Sequence, residues 1–129
     1  MHASTNLNGL QAEHDDWQLT LNSYREEIKN FNKKLEDIVQ SRPPIETLAS
    51  VEHFQNQFIR QNEVLDILRH DFKQHENLIE SLSSKQQENT SHLLNNHTAQ
   101  REKLDRFEAI FQQLRNEFTL FLSETGVPA

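Results

Sequence analysis

From Leu10 to Ile38 the residues Leu10, His14, Trp17, Leu21, Tyr24, Ile28, Phe31, Leu35 and Ile38 recur at alternating spacings of four and three. With 3.6 residues in each helical turn, that alternation keeps the whole series on one side of an α-helix. The stretch therefore predicts a helix whose single seam must be buried against elements of the same period. Its opposite face carries Glu26, Glu27, Lys29, Lys33, Lys34, Glu36 and Asp37, a mixed-sign surface suited to water. The pattern returns twice. Val51, Phe54, Phe58, Gln61, Leu65, Leu68, Phe72, His75, Ile79 and Leu82 mark a second seam, and Leu93, His97, Leu104, Phe107, Phe111, Leu114, Phe118 and Phe121 a third.

The breaks between the seams set the predicted boundaries. Asn8 with Gln11 resembles a capping arrangement at a helix start, and the polar residues before it read as a frayed tail over 1–8. Ser41-Arg42-Pro43-Pro44 stops the first helix, because proline drives the preceding residue out of helical geometry yet suits the first position of a new helix. Ser84 with Gln87 has the S-x-x-Q form of a capping box, and Gly126 with Pro128 is a helix-ending pattern. Helices over 9–40, 44–82 and 84–124 follow, within one domain spanning 9–126. The short linker at 41–44 requires the first two helices to pack antiparallel. The fold class is all-α, an elongated antiparallel three-helix bundle with heptad packing. The competing arrangement is one unbroken helix from 44 to 124 in an extended hairpin dimer. A long three-helix rod with an early core tryptophan, here Trp17, resembles a spectrin repeat in architecture, although the third helix lacks that family's second tryptophan.

Composition narrows the function. The net charge is −7 and no segment is basic, so the chain has no positive stripe to displace counterions from nucleic acid or to meet an anionic membrane. No run approaches the length of a transmembrane helix, and the first residues lack the basic start and apolar middle of a secretory signal. The chain has no cysteine, which excludes thiolate metal sites, cysteine nucleophiles and disulfides. A cytoplasmic protein is expected. Two glycines in 129 residues leave nothing from which to build a phosphate loop or a nucleophile elbow, and no H-E-x-x-H or calcium loop is present. A non-enzymatic role follows.

Chemistry concentrates in the seven histidines. Matching helix levels across the two turns puts His14 near Phe72 and His75 on the second helix and near Leu93 and His97 on the third. Imidazoles from three helices at one level suggest a site for a divalent metal such as zinc, with Asp71 four residues before His75 at a chelating spacing. The alternative for His14, His75 and His97 is a polar layer, or partly exposed histidines near a wet end of the bundle. No other cofactor is expected. Ile110, Leu120 and Leu122, together with Ile59 and Ile67, add apolar area beyond a thin bundle's needs, and a protein partner or a homodimer would absorb it. The leading expectation is a helical bundle acting through protein–protein interaction or self-association. The second is a metal or small-ligand binder using the histidine cluster.

Overall fold

The computed structural model describes residues 7–85 and 90–126, with side chains placed at 9–81 and 93–126. It contains α1 (Leu7–Gln40), α2 (Ile45–Lys85) and α3 (Thr90–Thr125), and no strand among the described residues. Their 34, 41 and 36 residues, at 1.5 Å rise each, make helices about 50 to 60 Å long.

α2 packs against both other helices, as an up-down-up bundle requires. Pairs between α1 and α3 keep a nearly constant sequence separation along the bundle: 84 residues for Glu13–His97 and Tyr24–Glu108, 88 for Glu13–Arg101 and Glu27–Arg115. A constant separation means that α1 and α3 run parallel in one register. α2 runs antiparallel to both, so that Phe31 meets Phe58 at one end and His14 meets Phe72 and His75 at the other. The chain therefore folds back at both turns, and the single long helix from 44 to 124 does not form.

Burial follows the alternating seams. α1 buries Leu10, His14, Trp17, Leu21, Ile28, Leu35 and Ile38, with Tyr24 and Phe31 half-buried at the flank. α2 buries Val51, Phe54, Phe58, Gln61, Leu65, Leu68, Phe72, His75 and Ile79. On α3 the run from Leu93 to Phe118 includes Gln100, the position that completes the alternation between His97 and Leu104. Near its end the core position passes to Leu122 rather than Phe121. A straight helix drifts by about 20° per heptad against a strict 3.5-residue repeat, and here the fourth residue after Phe118 reaches the core. Leu122 is 2% exposed and thus cannot supply surplus surface, which corrects the expectation for that residue. Ile110 and Leu120 do lie on the surface, 57% and 63% exposed.

Packing is richest where the first turn meets the end of α3. Phe54, Phe58 and Phe31 surround Phe118, with ring centroids 5.1, 5.1 and 4.8 Å away. Phe58 and Phe118 cross at 87°, the edge-to-face arrangement that places positive ring edges on negative faces. This large cluster extends to Trp17 and Leu104, whereas among the described residues the far end holds Leu10, Ile79 and Leu93, with Leu78 and Leu94 at its edge.

The turns show which local signals act. Ser41 N–H and Arg42 N–H donate to the Ile38 and Val39 carbonyls, Arg42 takes a left-handed φ of 54°, and the Pro44 carbonyl accepts the first bond of α2 from Leu48 N–H. Gly126, at φ 79°, ends α3 in the conformation glycine adopts most readily. Two predicted boundaries move. α1 already includes Leu7 and Asn8, so Asn8 is not a cap outside the helix. Ser84 lies inside α2, and α3 starts at Thr90 instead of 84. Serine costs a helix less than about 0.7 kcal/mol relative to alanine, too little to stop one already propagating. Residues 1–6, the Leu82 side chain, Gln87 and Pro128 lie outside the described residues.

Phe118→Ala is expected to cost about 3 to 5 kcal/mol, because it opens a cavity among rings that cannot collapse into it. Leu120→Ala should stay within about 0.5 kcal/mol. Urea denaturation of both variants tests the contrast, and equal losses would contradict this description of the core.

Candidate functional site

A layer of histidines separates the two apolar clusters. His14, His75 and His97, one from each helix, are 0%, 2% and 3% exposed. The ring centroids of His75 and His97 lie 5.0 Å apart and those of His14 and His75 6.0 Å apart. Trp17 stacks on His97 at 4.5 Å and 24°, closing the layer against the large cluster. The register set by the phenylalanines thus delivers three imidazoles to one level.

Their hydrogen bonds determine what they can do. Glu13 can only accept, so the 2.6 Å contact makes His97 Nε2 the donor and leaves Nδ1 as its acceptor. His75 Nε2–H then donates to His97 Nδ1 at 2.8 Å. Glu13 also takes two bonds from Arg101, each 2.5 Å long. Arg101, Glu13, His97 and His75 form one chain of bonds from surface to core. His14 Nε2–H donates separately to the Phe72 carbonyl of α2.

This pattern changes the expected metal set. Both nitrogens of His97 and one of His75 are engaged with each other and with Glu13, and a metal on all three rings would have to break those bonds. Asp71 pairs with Lys103 at 3.2 Å rather than turning toward a shared ion. The structure brings His14, His75 and His97 together as a hydrogen-bonded layer, not as three nitrogens converging on one point. Among the described residues the group with converging ligand atoms is His14, Asp15 and Glu76, all within 4.8 Å of one another. Glu13, Asp15 and Glu76 are the residues that sequence reasoning missed. Each sits one place from a seam position, beside His14 and His75, where a carboxylate can reach a buried ring from the rim.

Charge is tuned by the same packing. Burial pushes the His75 imidazole down to about 4, and repulsion from His97 and His14 adds to it, while the Asn96 side chain offsets part. Burial also lowers His97, against the pull of Glu13 in the opposite direction. Burial alone would raise the Glu13 carboxyl, but the bonds from His97 and Arg101 hold it below the ordinary value. Further along the bundle, burial and the bond to Glu108 raise the Tyr24 hydroxyl to about 12. Arg115 grips Glu27 through Nε and Nη2 at 2.5 and 2.7 Å and covers the Phe111 ring at 5.2 Å.

A second feature opens between α2 and α3. The groove holds about 570 Å³ over a floor of Val64, Leu68 and Phe107, with the exposed Ile67 and Ile110 as its walls. Arg60 and Arg106 stand on its rim, and neither has an ion-pair partner among the described residues. Lys103 and Asp71 close one end by pairing with each other. The cleft beside His75 holds only about 250 Å³ and has polar walls, below the roughly 300 to 1,000 Å³ apolar pockets that enclose small organic ligands.

No family model matches this chain, and no curated protein or solved structure matches it. No described helix is long and apolar enough to cross a membrane.

The depressed histidines make acid sensitivity a direct expectation. Because His75 titrates near 4 when folded and near 6.5 when unfolded, the unfolded chain binds more protons between those values and stability falls as pH drops from about 6.5 toward 4. The loss should approach about 3 kcal/mol for His75 alone, at roughly 1.4 kcal/mol per unit. Glu13 adds a further loss below about 4.5, as its carboxylate protonates and releases His97 and Arg101. Urea midpoints followed from pH 7.5 to 4 for the parent and for His75→Gln test this: the variant's slope between 6.5 and 4 should be flatter, and identical slopes would refute the assignment.

Proposed function

We propose that this chain is a non-enzymatic, cytoplasmic interaction module whose groove between α2 and α3 receives an acidic amphipathic helix of a partner protein. The observation that carries the reading is the combination of two exposed isoleucines, Ile67 and Ile110, with two guanidiniums, Arg60 and Arg106, that have no ion-pair partner among the described residues, along one groove. Apolar anchors at helical spacing dock into such a groove, and rim charges select the partner's sign. In a two-fold dimer built on this groove the same patch would meet itself, bringing Arg60 and Arg106 of one copy toward those of the other, so the rim disfavours symmetric self-pairing there. Ile59 and Leu120 are exposed outside the groove lining, as isolated apolar residues commonly are.

Selection from a displayed library of amphipathic helical peptides of graded net charge tests the reading. Acidic members should be enriched and should bind more weakly as salt rises. The double variant Ile67→Asp/Ile110→Asp should lose affinity at least about tenfold, the loss of a central apolar anchor, with its melting temperature little changed. Enrichment of basic peptides, or binding indifferent to both isoleucines, would overturn the proposal. A concentration-dependent dimer in sedimentation that the double variant abolishes would assign the groove to self-association instead.

A further inference from the structure

We propose that His14, Asp15 and Glu76 form a binding site for one divalent transition-metal ion at the junction of α1 and α2. The starting observation is a buried imidazole nitrogen that makes no hydrogen bond among the described residues. His14 is completely buried, its Nε2–H is taken by the Phe72 carbonyl, and Nδ1 has no hydrogen-bond partner among the described residues. A neutral imidazole bonded in this way presents a bare lone pair at Nδ1. Buried polar atoms without a partner are uncommon and costly, so the lone pair calls for an occupant.

The atoms facing it are ligands. Glu76 Oε2 lies 3.3 Å from His14 Nδ1, a close approach that nevertheless lacks hydrogen-bond geometry. A proton shared between them would have to lie on the line joining nitrogen and oxygen. Two ligands of a metal need no such line, because their lone pairs converge on a third point. For bonds of roughly 2.0 to 2.1 Å in a tetrahedral site, two ligand atoms stand about 3.3 Å apart. Asp15, on the exposed side, brings a carboxylate oxygen within 4.8 Å of both other atoms, near enough for a surface side chain to complete the set by rotation.

Each ligand is also held from behind. The Phe72 carbonyl fixes the tautomer and ring orientation of His14. Lys73 Nζ contacts Glu76 Oε1 at 3.2 Å, leaving Oε2 to face the imidazole. Gln11 Nε2 donates to Asp15 Oδ1 at 3.3 Å, leaving a second oxygen. Orienting partners of this kind accompany metal ligands generally. One imidazole and two carboxylates neutralise a divalent charge at a partly buried position. A nitrogen in the set favours zinc and its transition-metal neighbours over magnesium or calcium, which prefer all-oxygen sites. Three protein ligands leave a fourth position for water on the Asp15 side.

Isothermal titration of the full chain, prepared without a histidine tag, with zinc chloride at pH 7.5 tests the site. The expected result is one zinc per chain. Loss of an orienting partner alone typically weakens metal binding 10- to 100-fold, so Asp15→Asn and Glu76→Gln should each weaken it by at least about tenfold. Asp15 is exposed, so its variant keeps the fold even if Glu76→Gln does not, and circular dichroism without zinc checks both. His70→Gln, removing an exposed histidine elsewhere on α2, should leave the titration unchanged. Absence of saturable binding would overturn the proposal. So would stoichiometric binding that survives Asp15→Asn and Glu76→Gln, or binding that depends on His70. None of these results bears on the groove, which lies on other residues.

Discussion

Everything in this molecule depends on where the phenylalanines of three helices meet. Phe31, Phe54, Phe58, Phe111 and Phe118 come from all three helices, and their rings pack together near the first turn. Helices sliding past one another by one turn would separate these rings and lose contacts worth about 1.5 to 3 kcal/mol for each large side chain left exposed. The aromatic end therefore sets the register, and the rest of the rod inherits it. Arg115 on Glu27 and Arg101 on Glu13, separated by 88 residues in each case, repeat that register in charge along the α1–α3 edge.

The histidine layer is a consequence of the same register and the place where it has most to lose. Three buried imidazoles interrupt a core that is apolar apart from them, Gln61 and Gln100 among the described residues, which costs desolvation unless their nitrogens are bonded. The chain from Arg101 through Glu13 and His97 to His75 meets most of that demand with side chains reaching in from the rim. A slip of the helices would strand those nitrogens, so the polar layer discriminates against wrong registers more sharply than leucines would. Among the described residues Nδ1 of His75 and Nδ1 of His14 stay without a hydrogen bond, and that of His14 faces the carboxylates from which the metal site is inferred.

Helix α2 serves both proposed sites. Its Glu76 and the Phe72 carbonyl work with α1, while Ile67 and Arg60 work with α3. Both sites arise where a seam meets a flank, since the seam itself is consumed by packing. Leu122 illustrates the rule: apolar and apparently surplus in the linear pattern, it is drawn into the core by helical drift and is lost as a contact residue.

The alternating three-and-four spacing, the proline pair and the terminal glycine by themselves determined three antiparallel helices and nearly all of the buried positions, because helical periodicity and turn chemistry are local properties of the chain. The histidine level was legible too, since helix lengths and the two turns constrain which residues share a layer. Gln100 was within reach of the same periodicity but was hidden by its polarity. Only the tertiary structure decided what the histidines bond to. Glu13 and Glu76 act across helices separated by tens of residues, and whether an imidazole nitrogen meets a carboxylate, a carbonyl or another ring depends on side-chain directions within a fraction of a turn. The extent of α2 through Ser84 is likewise a matter of propagation, because a weak local stop signal does not halt a helix already formed.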